Sequence, residues 1–411
     1  MPRVTTSGPE QPQQKHPGTV GEVFLVFLRL GLTSFGGPVA HLAYFREAFV
    51  ERRRWLSEKA YADLVGLCQF LPGPASSQVG MALGLQRAGY AGMLAAWFAF
   101  TMPSVVLLVA FAYGVSQAGD LTDLGWISGL KAAAVAVVAH AVLGMARSLT
   151  PDAPRATIAA AAMITVLLIP GPFVLVGVIA ATGLIGLLWL RSDPDQHSAE
   201  DAFTVRVSKR TAGVCLGLFA LLLIALPLLA AWTSHAYLGL VDTFYRAGSL
   251  VFGGGHVVLP MLQADTVATG LVDPDAFLAG YGAAQAVPGP LFTFAGFLGA
   301  STAEGPGGLI GAAAATVAIF LPAALLILGA LPFWEALRRH AAARRALLGV
   351  NAGVVGILAA ALYDPVFTAG ILEVGLPALA VAVAAFVALN NWRTPAWAVV
   401  IAAGLLGWAL L

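Results

Sequence analysis

Arg29-Leu-Gly-Leu-Thr-Ser-Phe35-Gly36-Gly37-Pro38 returns later in the chain as Arg246-Ala-Gly-Ser-Leu-Val-Phe252-Gly253-Gly254-Gly255. The echo is not isolated. Gln69-Phe-Leu-Pro72-Gly73-Pro74 returns as Gln285-Ala-Val-Pro288-Gly289-Pro290, Pro103 matches Pro322, and Gly129-Leu-Lys131-Ala matches Gly349-Val-Asn351-Ala. The offsets are 217, 216, 219 and 220 residues, in unbroken order. Four landmarks at nearly constant spacing identify an internal duplication. Even the helix start between the first two is repeated, with Ser57 before Glu58-Lys59 and Asp273 before Pro274-Asp275 as N-caps. The expected organisation is a disordered cytoplasmic tail at 1–18, a first repeat at 19–192, a connector at 193–236 and a second repeat at 237–411.

Composition says which solvent these repeats face. The 411 residues are 59% hydrophobic and 10% charged, with a mean hydropathy of +0.84. A soluble domain carries about 25% charged residues, and too few exist here to wet such a surface. Lipid is the solvent, so the unit of structure is the membrane helix. A net charge of +1 points to no nucleic-acid partner. Cys68 and Cys215 stand alone in apolar stretches and read as small core residues rather than a disulfide or metal framework. The polar stretch 1–18 does not read as a signal peptide.

Apolar stretches at 89–117, 125–149, 153–169, 171–191, 305–333, 346–363, 368–389 and 393–411 read as spans, with one more at 212–232 in the connector. Most approach the roughly 20 residues that cross the hydrocarbon. The segments around Phe35-Gly-Gly and Pro72-Gly-Pro differ, because each is a short apolar run, a Gly/Pro break and another short run. Such breaks survive at membrane depth only where protein or a polar cavity satisfies the freed backbone. Charge then orients the copies. The loop at 46–59 is basic and its counterpart at 264–275 carries Asp265, Asp273 and Asp275; the loop at 118–124 carries Asp120 and Asp123, and its counterpart at 335–346 is basic. The bias reverses between copies, so equivalent loops sit on opposite sides. The fold expected is an all-α polytopic membrane protein of two inverted-topology repeats with broken or re-entrant half-helices, N-terminus in the cytoplasm and C-terminus outside.

Candidate functional residues follow from the breaks. Helix N-termini present unpaired N–H groups and partial positive charge, which suit anions. Ser76, Ser77 and the amide of Gln78 fill the first turn after Pro74, Thr293 lies in the equivalent turn, and Gly36, Gly37, Gly253 and Gly254 open the other pair of breaks. Against this stands the reading that Gly and Pro merely permit kinks and close packing. Arg29 and Arg246 each lie six residues before a break. A guanidinium at depth suits a tetrahedral oxyanion through two parallel hydrogen bonds. The alternatives are snorkelling to the interface or, for Arg29, pairing with Glu22. Gln69 and Gln285 precede the Pro-Gly-Pro breaks and serve either substrate or freed backbone. Lys131 is balanced between substrate contact and snorkelling. His41 and His256, at non-equivalent positions, are candidates for proton coupling. Arg52-Arg53-Arg54 reads as a topology determinant. No Walker-type Gly-x-x-x-x-Gly-Lys, His-Glu-x-x-His or Gly-x-Ser-x-Gly occurs, so ATP drive and hydrolytic chemistry are not expected, nor is a cofactor.

On these residues the chain resembles the chromate transporter family in its two-domain form. The resemblance rests on Phe35-Gly-Gly-Pro38 followed by a basic stretch and Trp55-Leu56, on Gln69-Phe70-Leu71-Pro72-Gly73-Pro74, and on Phe252-Gly-Gly-Gly-His256 with Pro288-Gly-Pro290, over roughly residues 20–405. It implies a bacterial inner-membrane exporter of chromate that confers resistance, coupled to the proton gradient, with isosteric sulfate as competitor. A homodimer is left open as a partner. The alternatives are a sulfate or oxyanion importer or exchanger, and an anion channel lined by the breaks. The second copy departs from the pattern in having Gly255 for Pro38 and an acidic loop for the basic one.

Overall fold

A computed structural model describes residues 18–35, 37–117, 125–169, 174–191, 203, 205, 207–252, 258–302, 307–334 and 340–411. Gly36, Gly253, Gly254 and His256 lie outside the described residues, as do most of the tail at 1–18 and much of the connector. The described residues form sixteen α-helices. The first repeat contains α1 (Val20–Thr33), α2 (Gly37–Arg46), α3 (Glu58–Phe70), α4 (Ala75–Gln117), α5 (Gly125–Leu149), α6 (Ala153–Leu168) and α7 (Val174–Trp189). The connector supplies α8 (Lys209–Thr233). The second repeat runs through α9 (Ala236–Leu250), α10 (Val258–Thr266), α11 (Pro274–Ala286), α12 (Phe294–Ala300), α13 (Gly308–Ala330), α14 (Ala341–Ala361), α15 (Leu376–Asn390) and α16 (Ala396–Leu410).

The two repeated helix starts form as expected. The Ser57 side chain accepts from the Ala60 N–H at 3.2 Å, and Asp273 accepts from the N–H groups of Asp275 and Ala276 at 2.9 and 3.0 Å. The broken helices re-enter. Phe27 on α1 stacks on Phe49 beyond α2 at 5.1 Å and meets Phe45 edge-on at 5.7 Å, so the chain doubles back at Ser34–Gly37. In the second copy, Phe294 of α12 packs on Phe277 and Tyr281 of α11, at 5.2 and 5.8 Å, across the Pro-Gly-Pro turn. α4 is two limbs rather than one rod: Ala88 and Gly89 leave helical geometry, Gly89 at φ +65°. The limbs then press together so closely that a β-carbon on Gly84 would lie 2.4 Å from the Gly92 carbonyl oxygen. The second copy repeats the contact, with a β-carbon on Gly299 2.3 Å from the Gly311 oxygen. The expected start of a span at 89 is therefore the start of the long limb of α4.

Among the described residues, five helices are long and apolar enough to cross a membrane, by length and composition: α4, α5, α8, α13 and α14 with its π-helical extension. The expected spans at 153–169, 171–191, 368–389 and 393–411 are shorter, with helices of 16, 16, 15 and 15 residues. Local punctuation cuts them. Asp152 caps the start of α6 by accepting the Arg155 N–H at 3.0 Å, prolines at 170 and 172 follow its end, and Pro395 sets the start of α16.

The repeats interlock. α5 packs against α15 and α16 of the second repeat, while α14 packs against α6 and α7 of the first. A β-carbon on Gly129 would lie 2.1 Å from the Ala403 oxygen, and one on Gly349 would lie 2.1 Å from the Thr182 oxygen. These small residues let the backbones approach, as membrane helix interfaces require. Each repeat thus lends its equivalent helix to the other, and the exchange is reciprocal, the signature of a two-fold relation. The connector helix α8 has no counterpart and lies against α9 and α13.

Candidate functional site

The two kinds of break meet at the centre of this exchange. The Gly73 N–H donates to the Val251 carbonyl at 2.6 Å, and the Gly289 N–H donates to the Ser34 carbonyl at 2.8 Å. Each Pro-Gly-Pro turn is thereby tied to the chain just before the Phe-Gly-Gly break of the other repeat. Backbone groups freed by the breaks find partners in protein, as membrane depth demands. Gly73 and Gly289 hold φ at +110° and +98°, values that L side chains rarely adopt. At Gly289 space forbids a side chain as well, since a β-carbon would lie 2.3 Å from Ser104 Oγ. That hydroxyl donates to the Pro288 carbonyl, so α4 fastens the turn of the other repeat.

Around the first-repeat turn lies a buried polar cluster. His41 is fully buried, with Nε2 3.1 Å from the Ser34 carbonyl oxygen and Nδ1 3.4 Å from Ser76 Oγ. A carbonyl only accepts, so Nε2 carries the proton and Nδ1 is left to accept from the Ser76 hydroxyl. Gln78 Nε2 donates to the Pro72 carbonyl at 2.8 Å. Beyond these bonds, Ser34 Oγ, Ser77 Oγ, Gln78 Oε1 and Thr101 Oγ1 are buried with no partner among the described residues. The first-turn N–H groups of α4 also lack the i−4 acceptors that later turns have. Native interiors rarely leave buried polar atoms unpaired, and such a group calls for a ligand, water or ion. The second-repeat turn is less polar. Thr293 Oγ1 is satisfied locally by the Pro290 carbonyl at 2.7 Å, and Gln285 Nε2 is buried without a partner.

The expected residues thus fall into different surroundings. Ser76, Ser77 and His41 come together in the buried cluster. Gln285 and Thr293 lie at the equivalent turn, and Gln69 sits on the wall of a cleft beside the first turn. Gly37 holds φ at +78° at the start of α2. Lys131 pairs with Asp275 at the start of α11, and both are largely shielded, with side-chain exposures of 5% and 16%. That ion pair accounts for the Lys131 charge within the protein. The two arginines do not share an environment. Arg246 Nη2 lies 3.4 Å from Asp242 and 3.3 Å from Asp265, so two carboxylates bracket it. Arg29 is exposed on the face of α1 that also bears Leu25 and Leu32, 68% and 53% exposed. Glu22 does not pair with it: the Glu22 carboxylate holds Arg87 at 3.1 Å, and Arg87 stacks on Trp55 at 5.0 Å. Ser34, Thr101 and Ser104 were not singled out from sequence, whereas Gln78 was read there as the amide of the first turn after Pro74. Isolated small polar residues are common in membrane helices, and only Gln78, next to Ser76-Ser77, carried a local signal.

Comparison with known proteins agrees with the repeat. The sequence profile of the chromate transporter family matches residues 21–187 and again 238–408. A chromate transport protein of Pseudomonas aeruginosa is 29% identical over 401 residues, covering 95% of this chain and 92% of the relative. An uncharacterised transporter of Methanocaldococcus jannaschii is 25% identical over 365 residues, 87% of each chain. A chromate transport protein of Cupriavidus metallidurans is 25% identical over 348 residues, 84% of this chain and 82% of the relative. No solved structure matches the chain. With both halves matched and the duplicated breaks in register, the chain belongs to the chromate transporter family.

Proposed function

We propose that the protein is a secondary transporter that exports chromate across the bacterial inner membrane, driven by the proton gradient, and so confers chromate resistance. Family membership and the names of the relatives support chromate as substrate. The observation that carries the location is the pair of buried hydroxyls at the first-repeat turn, Ser34 Oγ and Ser77 Oγ, which have no partner among the described residues and stand beside the N-terminus of α4. An oxyanion there accepts from hydroxyls and backbone N–H groups, and the helix dipole favours its charge. Gln285 supplies an amide donor from the equivalent turn. His41, buried beside Ser34 and Ser76, is the coupling candidate, since a proton on Nδ1 would displace the Ser76 hydroxyl from it. Arg29 and Arg246 serve the anion unequally in this reading, because Arg246 already has two counter-charges. The basic loops at 46–59, 147–155, 191–210 and 338–345 face the cytoplasm.

Purified protein in proteoliposomes decides the matter. Saturable chromate uptake that rises with an imposed pH gradient is expected, with sulfate competing. Non-saturable flux indifferent to the gradient would instead mark a channel, and sulfate uptake without chromate uptake would mark a sulfate carrier.

A further inference from the structure

The two copies of the helix that leads into the Pro-Gly-Pro turn, α3 and α11, match in sequence but not in packing. In the second repeat α11 lies along α5. Leu278, Tyr281, Gly282 and Gln285 form one face of α11 at helical spacing, and all four are buried. A β-carbon on Gly282 would lie 2.9 Å from the Leu130 carbonyl oxygen. The facing positions of α5, Ile127, Ser128, Leu130 and Lys131, are buried too, and Lys131 holds Asp275. In the first repeat the corresponding faces stand apart. Ala62 and Gln69 of α3 are exposed, Val65 and Gly66 are half-buried, and α3 has no comparable packing on α14. A cleft of about 750 Å3 separates them, with Gly66, Gln69 and Phe70 on one wall and Leu347, Leu348 and Asn351 on another. A β-carbon on Gly66 would meet only the Trp334 ring, at 3.7 Å.

The contacts that the first repeat leaves unmade can be named from the register of the duplication. Offsets of 216 and 220 residues make Lys59 the counterpart of Asp275, Gly66 of Gly282, Val350 of Leu130 and Asn351 of Lys131. The cation has changed helices, but each pair still joins a cation to an acceptor. Asn351 Oδ1 is buried and has no partner among the described residues. An orphaned buried acceptor calls for a donor, and the counterpart pairing supplies one in Lys59. Gly66 meets the other requirement, because a small residue lets helix backbones approach.

We propose that α3 is a gate that closes on α14 through Lys59–Asn351 and Gly66–Val350 while α11 parts from α5. Two inverted copies of one unit, packed differently, show the two positions of that unit side by side. Exchanging the positions between copies turns access from one side of the membrane to the other, around turns that stay in place. The structure is then the state open on the side of the cleft and shut on the side of α11. Gln69 and Phe70 are the last residues of α3 before the turn at Leu71–Pro74, so the cleft leads toward the buried polar cluster. A lysine–carboxylate pair also outweighs a lysine–amide bond, which favours the closed α11 and the open α3 at rest. The inference rests on the reading of the protein as a carrier, whereas the contacts themselves do not depend on the cargo.

Cysteine cross-linking of the full chain in membrane vesicles tests the gate. Cys68 and Cys215 are buried and are replaced by alanine so that introduced thiols report alone. Gly66→Cys/Val350→Cys should form a disulfide with copper phenanthroline although the cleft lies between the two helices. Closing that side should open the other. Ile127 is fully buried, and a cysteine there should be inert to a water-soluble maleimide until the Gly66–Val350 cross-link is made. Asn351→Asp gives Lys59 an anion to meet, and should raise the rate of cross-linking about tenfold. Adding Lys59→Met should abolish that gain. In proteoliposomes the cross-link should stop chromate flux and dithiothreitol should restore it. Failure to cross-link in a protein that carries chromate would overturn the gate, and so would a cross-link that leaves Ile127→Cys inert. A cross-link that exposes Ile127→Cys in a protein that carries no chromate would keep the gate and reject the cargo. If Gly66→Cys/Val350→Cys does not fold, Lys59→Cys/Asn351→Cys decides in its place by the same two readouts.

Discussion

At the scale of single residues, the informative atoms are those with nothing to bind. Ser77 Oγ is buried and has no partner among the described residues, so Ser77→Ala removes no hydrogen bond that they make. It should leave the melting temperature nearly unchanged. If the hydroxyl binds the oxyanion, affinity falls by about 1.5–3 kcal/mol, roughly ten- to hundredfold. Unchanged chromate KM in Ser77→Ala would remove this residue from the site. Glycines at the breaks are a second case. Gly289→Ala meets both a left-handed φ and Ser104 Oγ at 2.3 Å, whereas Gly37→Ala has the same kind of φ with open space around it. Strain alone costs about 1–2 kcal/mol, so Gly289→Ala should lower the melting temperature clearly more than Gly37→Ala. Comparable melting shifts would mean that the contact with α4 is soft. The two arginines also separate here. Arg246→Ala leaves Asp242 and Asp265 facing each other without a cation, and should reduce the amount of folded protein in the membrane. Adding Asp242→Asn and Asp265→Asn should restore it. Arg29→Ala should leave folding intact, so transport assays on that variant read function directly.

Between elements, charge at depth is acceptable only in pairs. Lys131 on α5 and Asp275 at the head of α11 sit on interlocked elements of the two repeats, one cation and one anion sharing a shielded space. Removing one member strands the other, at a cost of about 3–5 kcal/mol. Lys131→Met and Asp275→Leu should each be strongly destabilising, and the double variant should recover much of the loss. Additive losses in a thermal melt of the three variants would show that the pair is not coupled. The same logic explains why the breaks are tolerated at all. Each Pro-Gly-Pro turn supplies an N–H to a carbonyl at the other repeat's break, so neither repeat can satisfy its own interrupted backbone.

For the molecule as a whole, reciprocity has a measurable consequence. Gly125 and Gly129 of α5 press on Gly407 and Ala403 of α16, and Gly349 and Gly356 of α14 press on Thr182 and Ala159. A fragment of residues 1–192 therefore exposes the small-residue face of α5 with nothing to fill it. Expressed alone it should be degraded, and co-expression with 193–411 should restore both fragments as a complex that co-purifies. A stable, monodisperse first half would contradict the exchange. Topology is the companion measurement. Accessibility tags at 52–54 and 338–345 should both report the cytoplasm and a tag at 268–272 the periplasm; a cytoplasmic 268–272 would overturn the inverted arrangement.

The duplication, the helical membrane class and the positions of the breaks were legible in the sequence, because each is carried by local chemistry. Hydrophobic run length, proline, glycine and the N-caps Ser57 and Asp273 act within a few residues of themselves, and the family resemblance rested on the same motifs. The start of a long span at 89 was readable for that reason. What required the tertiary structure is every pairing across long sequence separation. Only the packing of Phe27 on Phe45 and Phe49 shows that the broken helices turn back rather than cross. Only the fold brings Asp275 to Lys131, Asp265 to Arg246 and Arg87 to Glu22. None of these pairings was readable in the one-dimensional chain, where Glu22 stood only as an alternative partner for Arg29, because a counter-charge that is distant in sequence leaves no local trace. The exchange of α5 and α14 was hidden for the same reason: a small residue permits close approach to any helix, and the sequence does not say which helix will come.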